Sequence, residues 1–88
     1  NWESVQDINE CHRVKAQKEN LDILLKDISA MEYDNHQLHI DEHIKAIINE
    51  ENKERVQKLD AHIKEHQMLL AMTSMNNNLL MEDNNAGE

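Results

Sequence analysis

Five of the six histidines fall into two short segments of like pattern, His36, His39 and His43 in one and His62 and His66 in the other. The run His39-Ile40-Asp41-Glu42-His43 matches His62-Ile63-Lys64-Glu65-His66 at four of five positions, 23 residues further on. On a helix, residues four apart share a face, so each pair could hold one metal ion. If the two segments lay antiparallel with those faces opposed, His39, His43, His62 and His66 could surround a tetrahedral zinc ion. His36 would then stand one turn earlier, as an outer ligand or a hydrogen-bond donor to a ligand. The expectation is the plainer reading, that these imidazoles are semi-polar packing groups. Their N–H groups would bond to carboxylates about a turn away, such as Asp41, Glu42 or Glu65, or to the neighbouring helix. A structural zinc on His39, His43, His62 and His66 is the lesser alternative, and no other cofactor is expected.

Catalysis finds little to work with. The zinc-hydrolase pattern His-Glu-x-x-His is absent, because Glu42 and Glu65 directly precede the second histidine of each pair. A di-metal carboxylate bundle needs inward-facing carboxylates at Glu-x-x-His spacing, which neither segment has. Cys11 and His12 are adjacent, so on a helix their side chains diverge and cannot form a nucleophile–base couple. A glycine-rich phosphate loop and a serine nucleophile elbow are both missing. No catalytic residues are assigned and no enzymatic activity is expected. Met68, Met72, Met75 and Met81 read as adaptable core before they read as a docking surface.

The elements that must carry these residues are helices. Proline is absent and the one glycine is Gly87, which leaves little of the turn chemistry that strand-rich folds need at each hairpin. Val5, Ile8, Cys11, Val14, Leu21, Leu24, Leu25, Ile28 and Met31 recur at helical spacing and predict a first helix over about 3–31. Asp34 with Gln37 three residues later reads as a capping box for a second helix over about 35–49. A third is predicted over 53–75, ended by Asn76, Asn77 and Asn78, and 82–88 reads as a flexible acidic tail. Leu38, Ile40, Ile44, Val56, Leu59, Ile63 and Leu70 are the expected packing and interface residues of the hairpin formed by the second and third helices. The short connections predict that consecutive helices lie antiparallel. The expected fold class is all-α, a small helical bundle or hairpin plus a long N-terminal helix, and oligomeric.

Size and charge narrow the function. A chain of 88 residues builds a thin core, and with Trp2 and Tyr33 as the only aromatics, partner chains are the expected remedy. Eighteen Asp and Glu against nine Lys and Arg give a formal charge of −9, which repels phosphate backbones and argues against a nucleic-acid grip. Cys11 has no second cysteine to pair with. No apolar run approaches the roughly 20 residues of a membrane span, so no membrane partner is expected.

Ala16, Glu19, Asn20, Leu21 and Ile23, followed by Tyr33, Asp34, Asn35, His36, Leu38, His39, Ile40, Glu42 and His43, form a longer pattern, and Ala61, His62, Ile63, Glu65 and His66 repeat part of it. This combination resembles the C-terminal region of tailed-bacteriophage portal proteins, over about Ala16 to Met72. The resemblance implies a homo-oligomeric ring, typically of twelve subunits, at one capsid vertex of the virion. The segment would form part of its capsid-facing helical crown. Capsid and packaging-motor proteins would bind through the rest of such a chain, and DNA would pass nearby without specific binding. The wing, stem and clip of a portal have no counterpart in these 88 residues.

The expected function is therefore a structural segment of a phage portal through which DNA is packaged and ejected. The alternative is a small acidic helical module, such as a phage-encoded DNA-mimic inhibitor of a host protein. That alternative predicts carboxylates gathered on one face, whereas here they are interspersed with lysines along each helix.

Overall fold

The computed structural model describes residues 2–86 and is all-helical, with no strand among them. Its elements are α1 (Trp2–Asp22), α2 (His36–Ile48) and α3 (Lys53–Ala86). No helix is long and apolar enough to cross a membrane among the described residues.

Helix α1 stops at Asp22, nine residues short of the end that its apolar period predicts. The Asp22 carbonyl accepts from the amides of both Leu25 and Lys26, which closes a turn, and the chain then leaves the helix. Ile23 is buried at this corner, while Leu25 and Met31 stand exposed. The apolar period beyond Asp22 therefore does not correspond to a buried stripe.

The reason lies in the direction of the next helix. His12 Nδ1 accepts from the Asn35 amide (3.4 Å), and Gln17 Nε2 donates to Glu42 Oε1 (3.1 Å). These contacts set the N-terminal end of α2 beside the middle of α1, and the middle of α2 beside the C-terminal part of α1. The two helices are thus parallel, not antiparallel as the short connections predict. A parallel neighbour requires the link to run back along α1, and residues 23–35 provide the extended length for it. Helices α2 and α3 are antiparallel, since His36 meets His66 (ring centroids 5.1 Å apart) while His43 meets His62 (4.7 Å).

The helix starts are set by asparagine. Asn35, not Asp34, caps α2: its side-chain oxygen accepts from the Leu38 amide at 3.1 Å. Asp34 is turned inward, where it accepts from the Met31 amide (2.9 Å) and pairs with Lys15. Asn52 Oδ1 accepts from the Glu54 and Arg55 amides (3.0 and 3.3 Å) and satisfies first-turn donors of α3. That helix runs to Ala86, through Asn76, Asn77 and Asn78 and through most of the segment expected as a loose tail; Gly87 and Glu88 lie outside the described residues.

The interior is small and mostly polar. Ala16, Ile23, Ile40, Leu59 and Ile63 are the buried apolar side chains among the described residues. Around them lie Glu19, Asn20, Asp34, His36, His39, Glu42, His43, His62 and His66, also buried. Leu38 and Val56 are half-buried. Ile44 and Leu70, expected in the hairpin core, are 42% and 38% exposed in the single chain. The buried face of α2 is the line His36, His39, Ile40 and His43, so Ile44 falls on its flank.

Candidate metal centre

Helix α1 and the corner that follows it turn one face inward at the spacing 16, 19, 20, 23, and two of those four residues, Glu19 and Asn20, are polar. Helix α2 supplies His36, His39 and His43 at the same three-and-four spacing, and α3 supplies His62 and His66 one turn apart. All of these point into one volume because α2 lies between α1 and α3, with Glu19 reaching past it to α3. His39, His43 and His66 have no exposed surface at all.

Glu19 Oε1 is the hub. It lies 3.3 Å from His39 Nδ1, 3.3 Å from His43 Nε2 and 3.1 Å from His62 Nε2. His66 Nε2 in turn lies 3.2 Å from His62 Nε2. One donor atom from each of Glu19, His43, His62 and His66 falls within 4.8 Å of every other, so these four residues could hold a metal ion. The imidazole rings pack edge-on or tilted, with centroids 4.7 Å apart for His43 with His62 and for His62 with His66, and 4.8 Å for His39 with His66.

The outward ring nitrogens also have partners. His43 Nδ1 meets Asn20 Oδ1 at 2.6 Å, His62 Nδ1 meets Glu65 Oε1 at 3.1 Å, and His66 Nδ1 meets His36 Nδ1 at 2.8 Å. Three buried imidazole nitrogens have no hydrogen-bond partner among the described residues: both nitrogens of His39, and Nε2 of His43. An unpaired polar atom in a dry interior costs on the order of 1–3 kcal/mol, so such atoms need an explanation.

The electrostatics follow from burial set against pairing. Burial pushes the Glu19 carboxyl up, but the close approach of the His39, His43 and His62 imidazoles outweighs it and holds the group well below the usual carboxylate range. Burial pushes His43 down, and Glu19 only partly offsets it. Burial also acts against the charged form of His62, yet its hydrogen bonds to Glu19 and Glu65 raise it overall. His66 is lowered to about 3, first by burial and then by the positive charge its histidine neighbours carry when protonated.

A second group, His12, Asp34 and His39, lies beside the first. It is already satisfied from within: Asp34 holds Lys15 and the Met31 amide, and His12 takes the Asn35 amide. An ammonium on the carboxylate occupies the position that a cation would need.

Of the residues the sequence points to, His43, His62 and His66 converge with matching donor atoms, and His39 adjoins them without completing the set. Glu19 takes the fourth position. The sequence reading missed it as a candidate, because the inward face 16, 19, 20, 23 carries only two apolar residues and does not mark itself as buried. Of the expected carboxylate partners, Glu65 does meet His62. Glu42 instead accepts from Gln17 and Lys45, and Asp41 accepts from Gln37. No model of a known protein family, no curated protein and no solved structure matches the chain.

Proposed function

We propose that the chain is a structural, oligomer-forming segment of a tailed-phage portal, placed in the capsid-facing crown of the ring. The observation that carries this reading is where the resemblance's residues lie. Glu19 and Asn20, then Asp34, His36, His39, Glu42 and His43, then His62 and His66, are all buried, and most of them meet in one interior. A pattern spread along the sequence thus serves one architectural unit spanning three helices, as expected of a scaffold.

The surface supports the same reading. Ile8, Val14 and Leu21 on α1, Ile44 and Ile48 on α2, and Met68, Leu70 and Met72 on α3 are exposed apolar side chains that neighbouring copies in a ring would cover. The DNA-mimic alternative needs free carboxylates on one face. Here Glu10, Asp22, Glu54 and Asp60 each pair with a basic residue three or four positions on, namely Arg13, Lys26, Lys58 and Lys64. Local pairing of this kind disperses the charge that a mimic would concentrate.

Sedimentation or mass measurement on the full-length gene product tests the proposal. A closed ring of about a dozen copies is expected of a symmetric assembly of this kind. A full-length product that stays monomeric at micromolar concentration would overturn it.

A further inference from the structure

We propose that Glu19, His43, His62 and His66 bind one divalent ion of the zinc class. The donors are Glu19 Oε1 and the Nε2 atoms of the three imidazoles, and the result is a closed site that ties α1, α2 and α3 together. The inference stands on the geometry of these residues and is independent of the portal reading.

The tautomers carry the argument. Asn20 Nδ2 donates to the Glu42 carbonyl at 3.2 Å, which fixes the orientation of that amide. Asn20 Oδ1, 2.6 Å from His43 Nδ1, must then accept, so His43 carries its proton on Nδ1 and turns a lone pair on Nε2 inward. Glu65 Oε1 already accepts from the Ala30 amide (3.1 Å) and, as a carboxylate, also accepts from His62 Nδ1. Neutral His62 therefore also turns an Nε2 lone pair inward. For His66, Nδ1 faces His36 and Nε2 faces the same interior point.

The Nε2 lone pairs of His43 and His62, the Nε2 of His66 and a carboxylate oxygen thus face one interior point, three of their separations being 3.1–3.3 Å and all of them within 4.8 Å. In a dry interior that arrangement repels itself unless positive charge lies between the atoms. A proton on His62 Nε2 can serve Glu19 and His66, but it leaves His43 Nε2 without a partner, and that atom is indeed unpaired and fully buried. A metal ion serves all four atoms at once. Donor atoms at about 2.0–2.1 Å from a tetrahedral zinc lie roughly 3.3–3.4 Å from each other, close to the Glu19–His43, Glu19–His62 and His62–His66 separations of 3.3, 3.1 and 3.2 Å.

The outer contacts are those a metal-bound histidine needs. Each ligating ring has its other nitrogen held by a different group: Asn20, Glu65 or His36. Imidazole and carboxylate donors in fourfold coordination select zinc over magnesium and calcium, which prefer six or more oxygens. With all four ligands supplied by protein no coordination position is left for substrate, so the ion is structural. His39 remains outside the set, its Nδ1 beside the same Glu19 oxygen.

The test uses the untagged full chain and Zn²⁺ alone as probe. One zinc per chain is expected by elemental analysis, with a melting midpoint that falls on chelation and recovers when Zn²⁺ is restored. Glu19→Gln keeps the side-chain shape and removes the anionic ligand; at least tenfold weaker Zn²⁺ binding is expected in competition with a coloured chelator. Glu65→Gln guards against a simple folding defect, because Glu65 is partly exposed and meets the outer nitrogen of His62 and the Ala30 amide, which an amide oxygen can still accept from. It should weaken Zn²⁺ roughly 10–100-fold while helix content stays that of the parent. His39→Gln should retain one zinc. A chain that binds no Zn²⁺ and melts identically with and without chelator overturns the proposal, as does unchanged affinity in both Glu19→Gln and Glu65→Gln.

Discussion

At the scale of single residues, one carboxylate organises the interior. Glu19 touches histidines from both other helices. In metal-free protein this gives stability a definite sign with pH. His43 and His66 have ordinary values of 6.5 and are lowered in the fold, His66 to about 3, so the unfolded chain binds more protons. Their contribution is complete above 6.5 and is lost as pH falls below it. Glu19, lowered from 4.5, adds a loss on the acid side of that value. His62 is raised and opposes this, contributing below 6.5 and losing its effect as pH rises. Two lowered histidines and a lowered carboxylate outweigh one raised histidine. The melting midpoint of chelated protein should therefore fall steadily on acidification from about pH 6.5 to 4. A midpoint that holds or rises over that range would contradict the assignment. The histidine pairs were legible in the sequence because i,i+4 spacing needs only a helix to become a shared face. Glu19 was not, because carboxylates usually face solvent and nothing local marks which of eighteen acidic residues turns inward.

At the scale of elements, the fold rests on few apolar contacts, and each matters. Leu59 is fully buried on α3, so Leu59→Ala should cost roughly 2–5 kcal/mol in a denaturant titration. Ile44→Ala, on an exposed flank of α2, should shift monomer stability by less than about 0.5 kcal/mol. Equal losses at the two positions would mean that α2 and α3 pack by a different face. Helical class and the start of α2 could be read from composition and from the polar run before His36, although the cap itself shifted by one residue to Asn35. The end of α1 could not. Leu24, Leu25, Ile28 and Met31 keep the helical period, and only the tertiary need to bring α2 back parallel to α1 ends the helix at Asp22. The third helix fails in the other direction, since a run of asparagines lowers helix propensity without forbidding a helix.

At the scale of the molecule, the two proposals assign the polar interior to a cation and the exposed apolar faces to neighbouring copies. Ile8, Val14 and Leu21 lie along α1 and are open in the single chain. Val14→Glu with Leu21→Glu should reduce assembly of the full-length product, read by sedimentation, while zinc content per chain stays unchanged. Loss of both together would show that assembly and ion binding are not separable. If three helices meet at one ion, as proposed, X-ray absorption at the zinc edge on untagged protein reads that meeting directly. The expected result is three imidazole nitrogens and one oxygen at about 2.0–2.1 Å, with the outer-shell scattering of imidazole rings. Absence of bound zinc, or a shell of oxygens alone, would contradict it.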